Sequence, residues 1–307
     1  MKSIIREIRA DVDAIAGDRA LHENENFRAR ADVLDFLEID VLDRVESLLL
    51  ADGQTEDLDR LKQFVETVKT SLEDVDERVF QRLRNDIASR NHTGAALKQQ
   101  LVEYAGAAPG KGIEGEGYDH LDALVNGVLL MGTAPEETRA REMGMVFYQP
   151  TPARIVLELI EKGCFQPDDV FYDIGSGLGQ VAILAHLLSG VRAIGVEFEP
   201  AFYEFAVRCA QALNLPEVAF INADAREASF ADGTVFFLYT PFEGGILEQV
   251  LGKLRDEPAV RGIRLFTYGP CTSAVEQQRW LERVDRNGSK ANGLAEFKTS
   301  EQALRAA

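Results

Sequence analysis

The segment VFYDIGSGLGQ at residues 170–180 constrains the fold of this chain more than any other part of its sequence. An apolar run ends in Asp173, and Gly175, Gly177 and Gly179 follow at alternate positions. The residues after the loop have the apolar spacing of a helix. Glycine is needed where a backbone turns sharply and a ligand approaches it closely. A strand, a glycine loop and a helix in this order predict a cradle for a nucleotide cofactor.

Downstream of this segment, strand and helix patterns alternate to the end of the chain. The predicted strands cover residues 170–174, 192–197, 218–222, 234–239 and 262–267, with a last strand at 294–299. The predicted helices cover residues 179–189, 201–213, 243–255 and 273–283. This alternation is typical of a doubly wound α/β fold with a mostly parallel sheet. We therefore predict a Rossmann-like sheet whose last strand runs antiparallel.

The first hundred residues have helical periodicity, and no alternating strand pattern occurs before residue 165. Apolar residues such as Ile4, Ile8 and Val12 recur on one face of a helix. A loop or hinge is predicted at residues 105–117, which contain five glycines and a proline. We expect an all-helical N-terminal domain over residues 1–110.

A stretch with short helical patterns lies between this domain and the glycine segment. The patterns fall at Tyr118–Leu130 and Glu136–Met143, and a helix from Ala153 to Lys162 follows. We expect residues 111–152 to be a linker that covers the cofactor or the substrate. Residues 153–307 are then expected to form the cofactor-binding domain.

The chain is strongly acidic, and the distribution of its charge limits the classes of partner. The net charge is −18, with −14 on residues 101–250, −7 on residues 1–100 and +3 on residues 251–307. Nucleic-acid binding normally requires a basic surface, so a DNA or RNA substrate is disfavoured. A basic protein, a polyamine or a neutral small molecule remains compatible. A role of the charge in solubility alone is equally compatible.

The N-terminus and the cysteines indicate a cytoplasmic protein. Charges interrupt the apolar residues of MKSIIREIRADVD, which excludes a signal-peptide core, and no stretch is apolar enough for a membrane span. Cys164, Cys209 and Cys271 form neither a CxxC pair nor an even disulfide set, as expected of reduced thiols. His120 has neighbouring carboxylates but no second histidine at ligand spacing, so no metal site is predicted.

Two further acids fall where a nucleotide cofactor needs them. Glu197 ends the second predicted strand, in position to accept hydrogen bonds from both ribose hydroxyls. Asp224 follows the third strand, in position to accept one from the exocyclic amine of adenine. Ligands of open α/β sheets bind across the carboxyl ends of the strands, where both acids and the glycine loop are expected.

The glycine spacing separates two classes of cofactor. The dinucleotide pattern GxGxxG needs a third glycine where this chain has Gln180, and the glycines fall as GxGxG instead. Asp173 would repel a pyrophosphate but suits a cofactor with a positively charged amino-acid moiety. S-adenosyl-L-methionine (SAM) has adenine, ribose and a zwitterionic methionine tail, and no phosphate. The sequence therefore predicts SAM as the cofactor and S-adenosyl-L-homocysteine as its product.

On these motifs, residues 145–270 resemble the class I SAM-dependent methyltransferases, with DIGSGLG as the first motif, Glu197 as the second-strand acid and NADA at 222–225 as the third. They are also similar to the non-SET protein lysine methyltransferases. These include the disruptor-of-telomeric-silencing histone enzymes, which share a D-[LI]-G-S-G-x-G-Q loop. They also include a mitochondrial and prokaryotic family with a Y-x-P-[TA] segment ahead of the loop. FYQPTP at 147–152 fits that segment, which in the family folds over the cofactor.

The resemblance implies methyl transfer from SAM, an in-line displacement that depends on positioning. It makes Tyr148 and Thr151 candidate cofactor contacts. With the motifs, the full set of expected cofactor-binding residues is Tyr148, Thr151, Asp173, Gly175, Ser176, Gly177, Gly179, Gln180, Glu197, Phe198, Asp224, Ala225, Tyr239 and Thr240. A channel lined by Phe147, Tyr148, Tyr239 and Phe242 would lower the pKa of an acceptor amine. Tyr148 and Tyr239 are therefore the candidate catalytic residues.

The end of the fourth strand leaves the acceptor open. Enzymes that methylate the amines of adenine or glutamine carry Asn or Asp at the position of Tyr239 or Thr240, followed by Pro-Pro, whereas this chain reads LYTPF at 238–242. This departure disfavours amino-methylation of nucleobases and leaves lysine specificity open. A protein lysine amine is the preferred acceptor. The alternatives are a small-molecule methyltransferase with the helical domain as a substrate lid, and a SAM-binding interaction protein without turnover. The oligomeric state is not predicted.

Overall fold

The computed structural model of the chain describes residues 2–52, 56–90, 93–106, 118–257, 262–284 and 293–306. The chain divides into two compact units, Met1–Asn85 with Gln99–Val128 and Asp86–Lys98 with Leu129–Ala307. The division predicted from the sequence, with boundaries at residues 110 and 152, stays a prediction. Most of the predicted loop at 105–117 lies outside the described residues.

The first unit is helical. Its α-helices are α1 (Lys2–Gly17), α2 (Phe27–Asp35), α3 (Asp43–Asp52), α4 (Glu56–Ala88), α5 (Gly94–Ala105) and α6 (His120–Leu129), of which α4, α5 and α6 also give residues to the second unit. Short 3-10 turns lie at Arg19–His22 and Asn24–Asn26, and a π-helical stretch at Phe36–Leu42 joins α2 to α3. The apolar faces of α1, α2, α3 and α4 meet in one core that includes Ile8, Val12, Leu37 and Val65. The helical periodicity of the sequence follows from this burial.

A buried ion pair lies among these helices. Arg30 Nε donates to Asp76 Oδ1 at 2.6 Å, and Arg30 Nη1 donates to the carbonyl oxygens of Leu21 and Glu23 at 2.8 and 2.9 Å. Burial raises the pKa of Asp76, although the Arg30 guanidinium opposes the shift. Removing either charge would leave the other buried and unpaired, which costs about 3–5 kcal/mol.

The second unit is built around a seven-stranded sheet. Its strands are β1 (Val170–Ile174), β2 (Arg192–Glu197), β3 (Val218–Asn222), β4 (Val235–Tyr239), β5 (Arg264–Tyr268), β6 (Leu281–Arg283) and β7 (Ala295–Thr299). Its remaining helices are α7 (Ala153–Gly163), α8 (Gln180–Ser189), α9 (Pro200–Ala212), α10 (Gly244–Asp256), α11 (Cys271–Glu276) and α12 (Glu301–Ala306). The strand order is β3-β2-β1-β4-β5-β7-β6, with β1 to β5 parallel and β7 antiparallel to both its neighbours. The predicted Rossmann-like, mostly parallel sheet is confirmed.

The strand order reverses between β1 and β4, the two central strands. Tyr172 of β1 is in register with Ile194 of β2 on one side and with Phe236 of β4 on the other. A reversal of this kind opens a crevice at the carboxyl ends of the two strands, because the chain leaves them toward opposite sides. The glycine loop begins at this crevice, directly after Ile174.

Most element boundaries lie within two residues of the predicted ones, but two predicted helices are wrong. Residues 273–283 were expected to be helical, yet α11 ends at Glu276 and Leu281–Arg283 forms β6, which pairs with β7. Glu136–Met143 is not helical either, because its backbone is bound by groups outside the segment. Both outcomes depend on distant partners, which a local apolar pattern does not record.

The remaining sequence expectations concern membranes and thiols. Within the described ranges, no helix is both long and apolar enough to cross a membrane. All three cysteines are free thiols, with Cys164 exposed and Cys209 and Cys271 buried.

Candidate functional site

The glycine loop crosses the carboxyl end of β2. The N–H groups of Gly175 and Ser176 both donate to the carbonyl oxygen of Val196, at 2.9 and 3.0 Å. Gly177 has a φ of +52°, and a Cβ at this residue would lie 2.3 Å from Cε2 of Tyr148. Glycine is therefore required at this position both by the backbone conformation and by the approach of Tyr148.

Glu197, the last residue of β2, connects the glycine loop to the start of α9. Its Oε2 accepts the N–H of Gly177 at 2.7 Å, and its Oε1 accepts the N–H of Glu199 at 2.8 Å. The side chain is buried, and this burial raises its pKa although backbone N–H groups oppose the shift. A carboxylate has about four lone-pair directions, and the N–H of Phe198 also acts on this one, so Glu197 can still accept a further hydrogen bond from a ligand.

Asp173 lies on β1, fully enclosed, two residues before the loop. Burial and the neighbouring charge of Glu197 raise its pKa to about 8, against a hydrogen bond from the N–H of Ala182. Its Oδ2 is buried and has no hydrogen-bond partner among the described residues, and the same holds for Oγ of Ser176. Leaving such groups unpaired costs about 1–3 kcal/mol each, so their retention next to a pocket indicates a ligand site.

Two pockets meet at the glycine loop. The larger has a free volume of about 830 Å³ including its open mouth, and the smaller has about 310 Å³. Both are lined by Tyr148, Gln149, Gly175 and Tyr239. Of the remaining predicted site residues, the larger pocket is lined by Gly177, Glu197, Phe198, Asp224, Ala225 and Thr240, and the smaller by Thr151, Asp173, Ser176 and Gln180. Gly179, at the start of α8, lines neither of these two pockets.

The predicted aromatic channel residues also lie at the larger pocket. Phe147, Tyr148, Tyr239 and Phe242 all line it. Phe147 is 73% exposed, and the guanidinium of Arg141 lies 3.2 Å from the centre of its ring. The mouth of the pocket is therefore aromatic, with one exposed ring held by a cation–π contact.

The end of β4 brings two polar side chains to the site with different roles. Tyr239 Oη donates to Oε1 of Gln149 at 3.3 Å. Thr240 has a φ of +39°; its hydroxyl donates to the carbonyl oxygen of Tyr268 and accepts the N–H of Cys271, both at 3.2 Å. The Thr240 hydroxyl therefore binds two backbone groups of the protein itself, whereas Tyr239 lines both pockets.

Asp224 follows β3 and is bound by Arg226. Its Oδ1 accepts the backbone N–H and Nε of Arg226, at 2.8 and 2.9 Å, and its Oδ2 accepts Nη2 at 2.5 Å. The Arg226 side chain holds the pKa of Asp224 below its ordinary value. The carboxylate expected to meet adenine is therefore already ionised and engaged in a two-point ion pair.

Residues 136–148, the covering segment, are fixed to the sheet by Glu199. This buried carboxylate accepts the hydroxyl of Thr138 at 2.6 Å and the N–H groups of Arg139 and Ala201 at 2.8 and 3.0 Å. Burial by itself would raise the pKa of Glu199, but these hydrogen bonds lower it below its ordinary value. The same segment therefore runs extended along the larger pocket, where a helix was expected.

Three residues with defined roles at the site are absent from the sequence-based set. Glu199 holds the covering segment, Arg226 holds Asp224, and Gln149 accepts the Tyr239 hydroxyl. Of these three residues, only Gln149 lies in a sequence motif, the FYQPTP segment at 147–152. The contact of Glu199 joins residues sixty positions apart, which spacing within a motif does not predict.

No metal centre is evident in the described part of the chain. No group of three or more His, Cys, Asp and Glu side chains among these residues is arranged to hold a metal ion.

Comparison with known proteins agrees with this geometry. Residues 144–223, about a quarter of the chain, match the family described as histone methylation protein DOT1. Among curated proteins, none matches the chain.

Several solved structures that are similar to the chain are methyltransferases with different acceptors in their names. An RNA methyltransferase from Salinibacter ruber, in complex with S-adenosyl-L-homocysteine, is 25% identical over 49% of this chain and 92% of its own, with a TM-score of 0.40. Precorrin-6y C5,15-methyltransferase from Geobacter metallireducens GS-15 is 20% identical over 51% of this chain and 93% of its own, with a TM-score of 0.38. Geranyl diphosphate C-methyltransferase from Streptomyces coelicolor A3(2) is 21% identical over 42% of this chain and 50% of its own, with a TM-score of 0.33. Likenesses this loose do not identify an acceptor.

The family match covers the glycine loop and the ends of β1, β2 and β3. These elements carry Asp173 and Glu197 and form the β1 side of the crevice between β1 and β4. The seven-stranded sheet has the predicted methyltransferase topology. The chain is therefore a class I methyltransferase that uses SAM as its cofactor.

Proposed function

We propose that this methyltransferase acts on an amine and that a protein lysine is its preferred acceptor. The observation that carries this proposal is the aromatic junction of the two pockets, where Tyr148 and Tyr239 line both. A lysine amine has a pKa of about 10.4 in water and must lose its proton before it can attack a methyl group. Aromatic surroundings disfavour the charged form and lower that pKa, so they favour the reactive amine.

Two further observations support a protein acceptor. The matching family is described as a histone methylation protein, and histones are proteins that are modified on their side chains. Residues 101–250, which include the whole covering segment, carry a net charge of −14. A cationic acceptor would be attracted to such a surface, because opposite charge steers encounter and raises local concentration.

The cofactor is proposed to lie across both pockets. Asp173 in the smaller pocket would face the ammonium of the methionine tail, which suits its buried, unpartnered Oδ2. Glu197 and Asp224 in the larger pocket would accept the ribose hydroxyls and the adenine amine, with Phe198 and Ala225 beside the ring. Bound there, SAM supplies an electrophilic methyl group on a sulfonium.

The protein would contribute positioning and desolvation. Tyr148 lies over Gly177 and narrows the junction of the two pockets from one side. Tyr239 donates its hydroxyl hydrogen bond to Oε1 of Gln149 at 3.3 Å, which orients the phenol at the junction where the amine would enter. Holding the amine and the methyl group in line is enough for a large acceleration, since no covalent intermediate is needed.

The cofactor half of the proposal is tested by titration calorimetry. We expect SAM and S-adenosyl-L-homocysteine to bind the purified chain, and NAD to show no saturable heat. Tight binding of NAD together with no binding of SAM would overturn the assignment.

The acceptor half is tested with SAM labelled in its methyl group. Poly-L-lysine, spermidine and a cell lysate serve as acceptor probes, and we expect label in protein that survives nuclease and yields methyl-lysine on hydrolysis. Tyr239→Phe should lower the rate of that labelling, whereas Tyr203→Phe, a matched change on α9, should not. Label found in small molecules alone would replace the lysine proposal with the small-molecule alternative.

We further propose that the reaction takes place in the cytoplasm. The free state of Cys164, Cys209 and Cys271 supports a reducing compartment. Fractionation of cells that express a tagged chain tests this location.

A further inference from the structure

Arg226 occupies an unusual place beside the predicted adenine site. Its guanidinium forms a two-point ion pair with Asp224, and its backbone N–H donates to the same carboxylate. On the other side, Nη2 of Arg226 donates to Oε2 of Glu142 in the covering segment at 2.8 Å. One side chain thus joins the end of β3 to the segment that lies along the larger pocket.

We propose that Arg226 is a positioning residue for adenine recognition, which holds Asp224 in the orientation that accepts the exocyclic amine and ties it to Glu142. This inference rests on the proposed placement of the cofactor. It concerns a residue outside the family motif, since Arg226 lies beyond the matched range of 144–223.

The geometry leaves room for the adenine amine. An ionised carboxylate has about four lone-pair directions on its two oxygens. Arg226 fills two on Oδ1 and one on Oδ2 of Asp224, so one lone pair on Oδ2 remains. Arg226 therefore fixes the carboxylate without saturating it. The Arg226 side chain also lowers the pKa of Asp224, so the carboxylate is ionised across the neutral range and both of its oxygens act only as acceptors.

The two ion pairs of Arg226, with Asp224 and with Glu142, differ in exposure and in number of contacts. The Asp224 side chain is 14% exposed and contacts the guanidinium at two points, whereas Glu142 is 53% exposed and contacts it at one. Exposed single-point ion pairs contribute little, because water and salt screen them. We therefore expect Arg226 to act mainly through Asp224, with Glu142 in a minor role.

The test uses two ligands that differ only at the group in question. One is S-adenosyl-L-homocysteine, and the other is its purine-riboside analogue, which lacks the exocyclic amine. Arg226→Met should weaken binding of the first about fivefold, the loss expected for one partner of a partly exposed ion pair, and leave binding of the second unchanged. Asp224→Asn should show the same pattern. Arg192→Met, which removes a guanidinium paired with Asp232 at the opposite end of β2, should affect neither ligand.

Each outcome decides between stated alternatives. Equal weakening of both ligands by Arg226→Met means a general structural role and overturns the proposal. If Asp224→Asn affects neither ligand, the adenine placement is wrong and the proposal falls with it, although the methyltransferase assignment stands. If the wild-type chain binds neither ligand, the proposed cofactor site itself fails. If Arg226→Met does not fold, Arg226→Lys replaces it, because lysine keeps the positive charge but loses the two-point geometry. We then expect an intermediate loss of affinity for S-adenosyl-L-homocysteine and no loss for the analogue without the amine.

Discussion

The carboxylate of Glu197 accepts the backbone N–H of Gly177 at 2.7 Å, so the end of β2 holds the glycine loop that leaves β1. Its other oxygen accepts the N–H of Glu199 at the start of α9. One buried acid therefore fixes two backbone segments while it lines the larger pocket. This dual use explains why the protein tolerates the cost of a buried carboxylate at this position.

Replacing Glu197 by glutamine should therefore damage the site although the shape of the side chain is kept. An amide has one accepting oxygen, and its NH₂ group would face one of the two backbone N–H donors. We expect the affinity for SAM to fall at least about tenfold, measured by titration calorimetry. Glu204→Gln, an exposed change on α9, is the matched control and should bind as the wild type does. Unchanged affinity in Glu197→Gln would contradict this role.

Gly177→Ala separates backbone strain from steric contact. Alanine pays roughly 1–2 kcal/mol for the left-handed conformation at φ +52°, and its Cβ would lie 2.3 Å from Cε2 of Tyr148. Gly190→Ala carries the same backbone cost at φ +77°, but its Cβ would meet nothing within 4 Å. We expect both variants to lose stability in thermal unfolding, Gly177→Ala more than Gly190→Ala because Tyr148 must also move, and Gly177→Ala alone to lose affinity for SAM. Equal affinity in both variants would show that Tyr148 does not cover the cofactor.

The sequence predicts the sheet well because its signals are local. Buried parallel strands read as short apolar runs, and the glycine loop marks the end of β1 without reference to the rest of the fold. The error at residues 273–283 has the opposite origin. Leu281–Arg283 becomes a strand because β7 offers it a hydrogen-bonding edge, and that edge lies more than ten residues further along the chain.

The candidate site likewise has residues that the sequence predicts and residues that it does not. Asp173, Glu197 and Asp224 follow strands, so their convergence at one edge of the sheet can be predicted from topology alone. Arg226 and Glu199 act by contacts with Thr138, Arg139 and Glu142, which lie in the stretch Glu136–Met143 that was expected to be a helix. A helix would have satisfied the N–H of Arg139 internally, whereas the protein pairs it with Glu199.

The Thr240 hydroxyl is expected to stabilise the end of β4 and not to bind the acceptor. It pairs with the carbonyl oxygen of Tyr268 and the N–H of Cys271, and Thr240→Val removes both of these buried hydrogen bonds. We expect a loss of about 1–3 kcal/mol in the free energy of unfolding, measured with urea. Thr240→Ser keeps the hydroxyl and should stay closer to the wild type. A valine variant as stable as the serine variant would exclude this structural role.

The stability of the second unit should depend on pH through Asp173. Burial raises the pKa of this carboxyl to about 8 in the folded chain, whereas an unfolded chain has a value near 3.9. Below about pH 4 both states are protonated and the contribution to stability is fully present. As pH rises toward 8, the unfolded state releases its proton while the folded state keeps it, so stability falls by an amount on the order of a few kcal/mol.

Asp173→Asn removes this titration, because an amide is neutral at every pH. We expect the variant and the wild type to have similar melting temperatures at pH 4, and the variant to melt higher at pH 8. SAM should raise the melting temperature of the wild type but not that of the variant, since the proposed partner of the ammonium is gone. Glu204→Gln, the exposed control, should follow the wild type throughout. Parallel pH profiles for Asp173→Asn and the wild type would show that the carboxyl is not perturbed, and a cofactor-dependent rise in the variant would remove Asp173 from the binding site.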